Sequence, residues 1–193
     1  MRRIFLLLSV LLLTRTLVAQ SFDFYKEEIS FGIDTVFFSV SGDYYFRNNT
    51  GRTLSPEITY PVRRCTPGKP FDTVMAYDIS GSGLPLKMTI SDTLGRFMIN
   101  LPPYAYKMIR VFYRQRHNGT AARYILLTTK NWNKPLEDAR YSLVIRKNIV
   151  IDQFSIAPDR SVDFGDTTVY YWKRKNFMPE RDFEVKFRIT GNK

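Results

Sequence analysis

Near the C-terminus Phe183, Val185, Phe187 and Ile189 alternate with Glu184, Lys186 and Arg188. Successive side chains of a strand point to opposite faces, so this stretch predicts a half-buried β-strand with the apolar row on a core. The habit recurs along the chain. β-Branched and aromatic residues crowd residues 35–47, and the run stops at Asn48-Asn49-Thr50-Gly51. These are turn formers, which predicts a hairpin to a strand at 53–60. Further strands are predicted near 72–79, 85–91, 95–101, 106–117, 120–129, 140–151 and 161–173. No sustained apolar period near 3.6 follows residue 19, and the one helical candidate is a single turn at Lys134–Ala139. There Pro135 suits a first helical position, with Glu137 and Asp138 in the first turn. The expected fold is all-β, an antiparallel sandwich of about ten strands with at most one short helical turn.

The N-terminus does not follow that pattern. Arg2-Arg3, an apolar run from Ile4 to Leu13 and the small-residue ending Leu17-Val18-Ala19 have the layout of a secretory signal, cleaved after Ala19. The run is too short for a permanent anchor, and no cysteine stands at the cleavage site to carry a lipid. The expected organisation is a signal peptide at 1–19 and one sandwich domain at 20–193, periplasmic or secreted. Losing Arg2, Arg3 and Arg15 with no acid lowers the formal charge from +11 to +8. A basic field of this size attracts polyanions, and it also serves solubility.

Composition removes several chemistries. With one cysteine, Cys65, no intrachain disulfide can form, so burial must hold the fold. A chain of this length buries roughly 70% of its unfolded surface, enough for one domain. With one histidine, His117, a zinc site built from His and Cys is not expected, and no run matches a calcium loop. Cys65 with His117 is the nearest approach to a nucleophile and base, but no local signature surrounds either residue. Neither a phosphate-cradling glycine loop nor a nucleophile elbow is present, so no cofactor is expected. The sequons at Asn48-Asn49-Thr50 and Asn118-Gly119-Thr120 fall where a turn already calls for Asn.

Tyr45-Phe46-Arg47-Asn48 closes an early strand, Trp132-Asn133-Lys134-Pro135-Leu136-Glu137 joins two later ones, and Trp172 precedes Asn176-Phe177-Met178-Pro179. In these three places the chain resembles uncharacterised exported bacterial β-sandwich domains. The resemblance implies a fold and contributes no catalytic residue.

Asn118-Gly119 is the strongest short-range hairpin signal. A two-residue loop would set Tyr113 against Tyr124 and Val111 against Leu126 on a core face, and Arg114 against Arg123 on the other. Arg110, Arg114, Arg116 and Arg123 would then gather on one surface, and arginine forks grip carboxylate, sulfate and phosphate oxygens. Those four residues are the expected anion-binding site. Tyr170-Tyr171-Trp172 with Lys173-Arg174-Lys175 offers a second surface able to stack on a ring, although alternation sends Tyr170 and Trp172 to the core. The favoured function is a non-enzymatic exported binding or accessory module of the cell envelope. Its partner would be an anionic glycan, a lipid head group or an acidic protein. One competing reading is a hydrolase of extracellular polymer using Asp78 and Asp92, or Asp163 and Asp166, at the about 5–10 Å separation of a glycosidase pair. Another is a structural subunit that assembles by strand addition.

Overall fold

Period-two patterning organises the whole chain. A computed structural model describes residues 21–61, 73–81, 83–91 and 94–191. Among them are thirteen strands: β1 (Phe22–Ile33), β2 (Phe37–Asn48), β3 (Glu57–Pro61), β4 (Thr73–Asp78), β5 (Thr89–Ile90), β6 (Leu94–Met98), β7 (Tyr106–Arg116), β8 (Ala121–Tyr124), β9 (Leu136–Arg146), β10 (Ile149–Phe154), β11 (Arg160–Asp163), β12 (Thr167–Phe177) and β13 (Phe183–Ile189). A large sheet of seven runs β11-β12-β9-β1-β2-β7-β4, and two sheets of three run β10-β13-β8 and β3-β6-β5. Pairing is antiparallel except between β1 and β9.

Both small sheets cover the inner face of the large one. Phe31 of β1 stacks on Phe183 of β13 with centroids 4.3 Å apart, and Tyr44 of β2 meets Tyr60 of β3 at 5.6 Å. Phe31, Phe38, Val111, Leu143 and Trp172 supply the inner row of the large sheet, all buried. Each such side chain contributes about 1.5–3 kcal/mol by leaving water. Phe183, Val185 and Phe187 answer from β13, while Ile189 emerges from the core at 37% exposed. The fold is the all-β sandwich that alternation predicts. Among the described residues no helix is long and apolar enough to cross a membrane.

Several boundaries and pairings differ from expectation. Central strand β1 is not among the predicted strands, because a bulge between Phe24 and Lys26 shifts its phase and puts Glu27 in the inward row. The expected helical turn at Lys134–Ala139 is instead the start of β9, where Leu136 pairs with Phe177 and Asp138 with both Lys26 and Lys175. Ladder partners on two sides outweigh a lone turn, whose nucleation fixes several residues for one hydrogen bond. A 3-10 turn forms earlier, at Leu127–Trp132, and Asp182 Oδ1 accepts from the amides of Leu126 and Leu127 at 3.0 Å each.

Neither predicted hairpin forms. At Asn118-Gly119 the turn itself is made: Asn118 Oδ1 accepts from Thr120 N at 3.1 Å and from Thr120 Oγ1 at 3.0 Å, with Gly119 at φ +85°. The chain then crosses to the facing sheet, so β7 pairs with β2 and β4 while β8 pairs with β13. At the end of β2, Asn48 is buried and its Nδ2 donates to the carbonyls of Arg52, Leu101 and Pro102. That anchor turns the chain out of the large sheet, and β3 pairs with β6. The stretch 140–151 divides at Lys147-Asn148 into β9 and β10, and 161–173 is a hairpin of β11 and β12 turning at Gly165, φ +84°.

Candidate functional site

The four expected anion-binding arginines do not form one cluster. Arg110, Arg114 and Arg116 do share the outer face of β7, as alternation requires. Arg110 is joined to Asp43 of β2 through Nε at 2.7 Å and a second nitrogen at 2.8 Å, which holds its guanidinium more firmly protonated than usual. Arg114 and Arg116 lie over the Phe37 ring at 4.4 and 5.0 Å from its centroid. Arg123 belongs to β8 in the facing sheet, where it donates through Nε to Asp182 Oδ2 at 2.9 Å. The expected register therefore fails, because Asp182 and the edge of β13 offer Arg123 and its strand better partners than β7 does. Asp182 lies 59 residues from Arg123, beyond the reach of a local reading.

Of the carboxylate pairs, Asp78 ends β4 in an ion pair with Lys107 at 2.6 Å, and Asp92 lies outside the described residues. Asp163 Oδ1 accepts from Gly165 N at 2.8 Å and so belongs to the β11–β12 turn, with Asp166 just past it. Cys65 also lies outside the described residues. His117 accepts from Gly119 N on Nδ1 at 2.9 Å, which leaves Nε2 to donate to the Asp34 carbonyl at 2.7 Å.

A groove of about 560 Å³ runs across the outer face of the large sheet. Its floor is small because the ladder aligns Ser142 of β9 with Ser30 of β1 and Ser30 with Ser41 of β2. Ser30 and Ser142 hydrogen-bond at 2.9 Å, and the Ser41 hydroxyl has no partner among the described residues. Two residues along, the ladder sets Lys173, Arg140, Glu28, Asp43 and Arg110 side by side. Arg140 bridges Glu28 at 3.3 Å and Asp138 at 2.9 Å. At the far end Arg160 of β11 sits 4.0 Å over the ring of Tyr171. Arg160 and Lys173 are exposed groove residues, and neither side chain forms an ion pair among the described residues. The Tyr170-Tyr171-Trp172 run signals this end in the sequence, since alternation that buries Trp172 must expose Tyr171 and Lys173.

A second constellation lies inside the sandwich, where the two small sheets meet over β1 and β2. Tyr44 Oη hydrogen-bonds to Tyr60 Oη at 3.0 Å and to Tyr124 Oη at 2.6 Å. Beside them Glu27 is 2% exposed and accepts from Tyr141 Oη on Oε1 at 2.5 Å. Among the described residues no cation pairs with it. Burial pushes the Glu27 carboxyl up to about 7, the Tyr141 bond opposing this only in part. Burial also raises Tyr44, Tyr60, Tyr124 and Tyr141. Phe24, Phe46, Phe97 and Trp132 complete the wall of a cavity of about 50 Å³.

The class these observations define is a three-sheet β sandwich with a polar groove on its open face. A family described as a domain of unknown function (DUF4424) matches residues 114–186, which hold Tyr124, Tyr141, Arg160 and Lys173 but none of β1 to β6. Among curated proteins none matches this chain. A Legionella pneumophila protein, whose nutrient-binding role is itself a provisional assignment, is similar in structure with a TM-score of 0.71 at 11% identity. The alignment covers 87% of this chain and 67% of that one. An M1 zinc metallopeptidase variant from Deinococcus radiodurans aligns with a TM-score of 0.51 at 7% identity, over 88% of this chain and 42% of the peptidase. At such identities the likeness is one of fold.

Proposed function

We propose that this chain is an exported, non-enzymatic binding or accessory domain of the cell envelope, residues 20–193 forming one domain after loss of residues 1–19, and that it holds an anionic partner in the outer groove. The observation that carries the reading is the pairing pattern within the groove. Arg110 and Arg140 are matched by carboxylates, whereas Arg160 and Lys173 share one end with an aromatic ring and form no ion pair among the described residues, the carboxylate at that end, Asp159, being paired with Arg174. An unmatched guanidinium and ammonium beside hydroxyls supply charge-assisted donors for carboxylate, sulfate or phosphate oxygens. The basic field of the domain brings such a partner in. The nutrient-binding assignment of the Legionella protein suits a domain of this fold that holds a ligand.

The test is salt elution from a heparin column. The double variant Arg160→Ser, Lys173→Ser should elute at clearly lower salt than the parent. Arg114→Ser, Arg123→Ser should shift less, since the first of these arginines lies over Phe37 and the second is paired to Asp182. Equal shifts for the two double variants, or none for the first, would contradict the groove.

A further inference from the structure

The interior constellation has a composition that packing alone does not call for. Among the described residues Glu27 is a buried acid without a buried base, and one of its oxygens, Oε2, accepts no hydrogen bond. A carboxylate taken from water without a counter-charge is costly, so such groups either stay protonated or meet a cation. The walls around it are aromatic: Phe24, Tyr44, Phe46, Tyr60, Tyr124 and Trp132. Faces of Trp, Tyr and Phe attract a cation through their ring quadrupoles. From these buried groups the lining continues to half-buried Pro61, Ile125 and Thr128, between β3 and the 3-10 turn.

We propose that the cavity beside Glu27 is a binding site for a small organic cation, the ammonium head of a primary amine. Glu27 Oε2 supplies the counter-charge, the tyrosine hydroxyls accept the remaining N–H groups, and the rings enclose the carbon next to nitrogen. The size suits that head group, because a cavity of about 50 Å³ holds roughly three waters. This site is separate from the outer groove: it lies on the inner face of the same sheet and uses acid and aromatic groups rather than arginine and lysine.

Calorimetry on the folded protein with ethylammonium, tetramethylammonium, potassium and ethanol as probes decides the matter. Ethylammonium should bind at pH 8, tetramethylammonium at least tenfold more weakly, and ethanol and potassium not measurably. Affinity should be about tenfold lower at pH 6, because Glu27 must lose its proton to receive the cation. The groups facing it, Tyr44 of β2, Tyr60 of β3, Tyr124 of β8 and Tyr141 of β9, are all raised and stay neutral across that range. Arg174 of β12 acts on Tyr141 from a neighbouring strand and opposes that rise. Glu27→Gln should abolish binding while keeping the fold, and Thr128→Phe, which fills the cavity, should abolish it with Glu27 intact. Arg160→Ser, Lys173→Ser should leave it unchanged, so failure here and failure of the groove are told apart. Ethanol or potassium binding as tightly as ethylammonium would overturn the site. So would binding that survives Glu27→Gln or Thr128→Phe, or an absence of ethylammonium binding at pH 8.

Discussion

Two acids on β1, four positions apart, are both buried and have opposite fates. Asp23 is 4% exposed and Glu27 2%. Around Asp23 the fold assembles a complete set of donors: Lys134 Nζ at 2.8 Å on one oxygen, Asn49 Nδ2 at 2.8 Å and Arg47 at 3.2 Å on the other. Burial pushes the Asp23 carboxyl up, but the bonds from Lys134, Asn49 and Arg47 outweigh it and hold the group below its ordinary value. Among the described residues Glu27 has a single tyrosine donor and no cation, and burial prevails. Burial by itself therefore says little about what an acid is for. The partner set separates a structural ion knot from an open acceptor.

Packing gives a yardstick for both acids. Phe187 is buried at 2% and lies edge-on to the His117 ring at 5.0 Å, so Phe187→Ala should cost about 3–5 kcal/mol in urea unfolding. A change within error would mean that β13 does not seal the core. Next in size is Asp23→Ala, expected to cost about 3 kcal/mol at pH 7, because it leaves Arg47 and Lys134 without their shared acid. That stabilisation is present above the ordinary pKa of 3.8 and is lost as pH falls through the lower folded value. The penalty should therefore shrink in acid, and one that stayed constant down to pH 2 would show that Asp23 is not held as an anion.

Glu27→Gln should go the other way. Between its ordinary 4.5 and about 7 the unfolded chain gives up the Glu27 proton while the folded chain keeps it, so the parent loses stability as pH rises through that window. Glutamine removes the loss. The variant should match the parent near pH 4.5 and gain about 3 kcal/mol by pH 8, read from paired urea curves. A gain that did not depend on pH would contradict the comparison.

The alternation of Phe183, Val185 and Phe187 made the class of fold legible, since each strand carries its own record of which face is buried. The partner of each strand is not recorded locally. Asn118-Gly119 does make a turn, yet Thr120 accepts from Phe187 N at 2.9 Å, which continues the β8–β13 ladder in the facing sheet rather than a hairpin with β7. β1 was hidden because its bulge and inward Glu27 break the alternating pattern. Of the groove, the outward Arg110, Tyr171 and Lys173 could be foreseen; the serine floor requires the parallel register of β1 on β9. Tyr44, Tyr60, Tyr124 and Tyr141 each read as core aromatics, and nothing local shows that the hydroxyls of the first three bond to one another beside the carboxylate to which Tyr141 donates.

The contrast between the two acids is open to direct observation by carboxyl-detected NMR titration of the folded protein, with Asp23→Asn and Glu27→Gln used to assign the two resonances. The Glu27 signal should titrate near pH 7 and the Asp23 signal below 3.8. A Glu27 midpoint at or below its ordinary 4.5, or Asp23 midpoint above 3.8, would contradict the account.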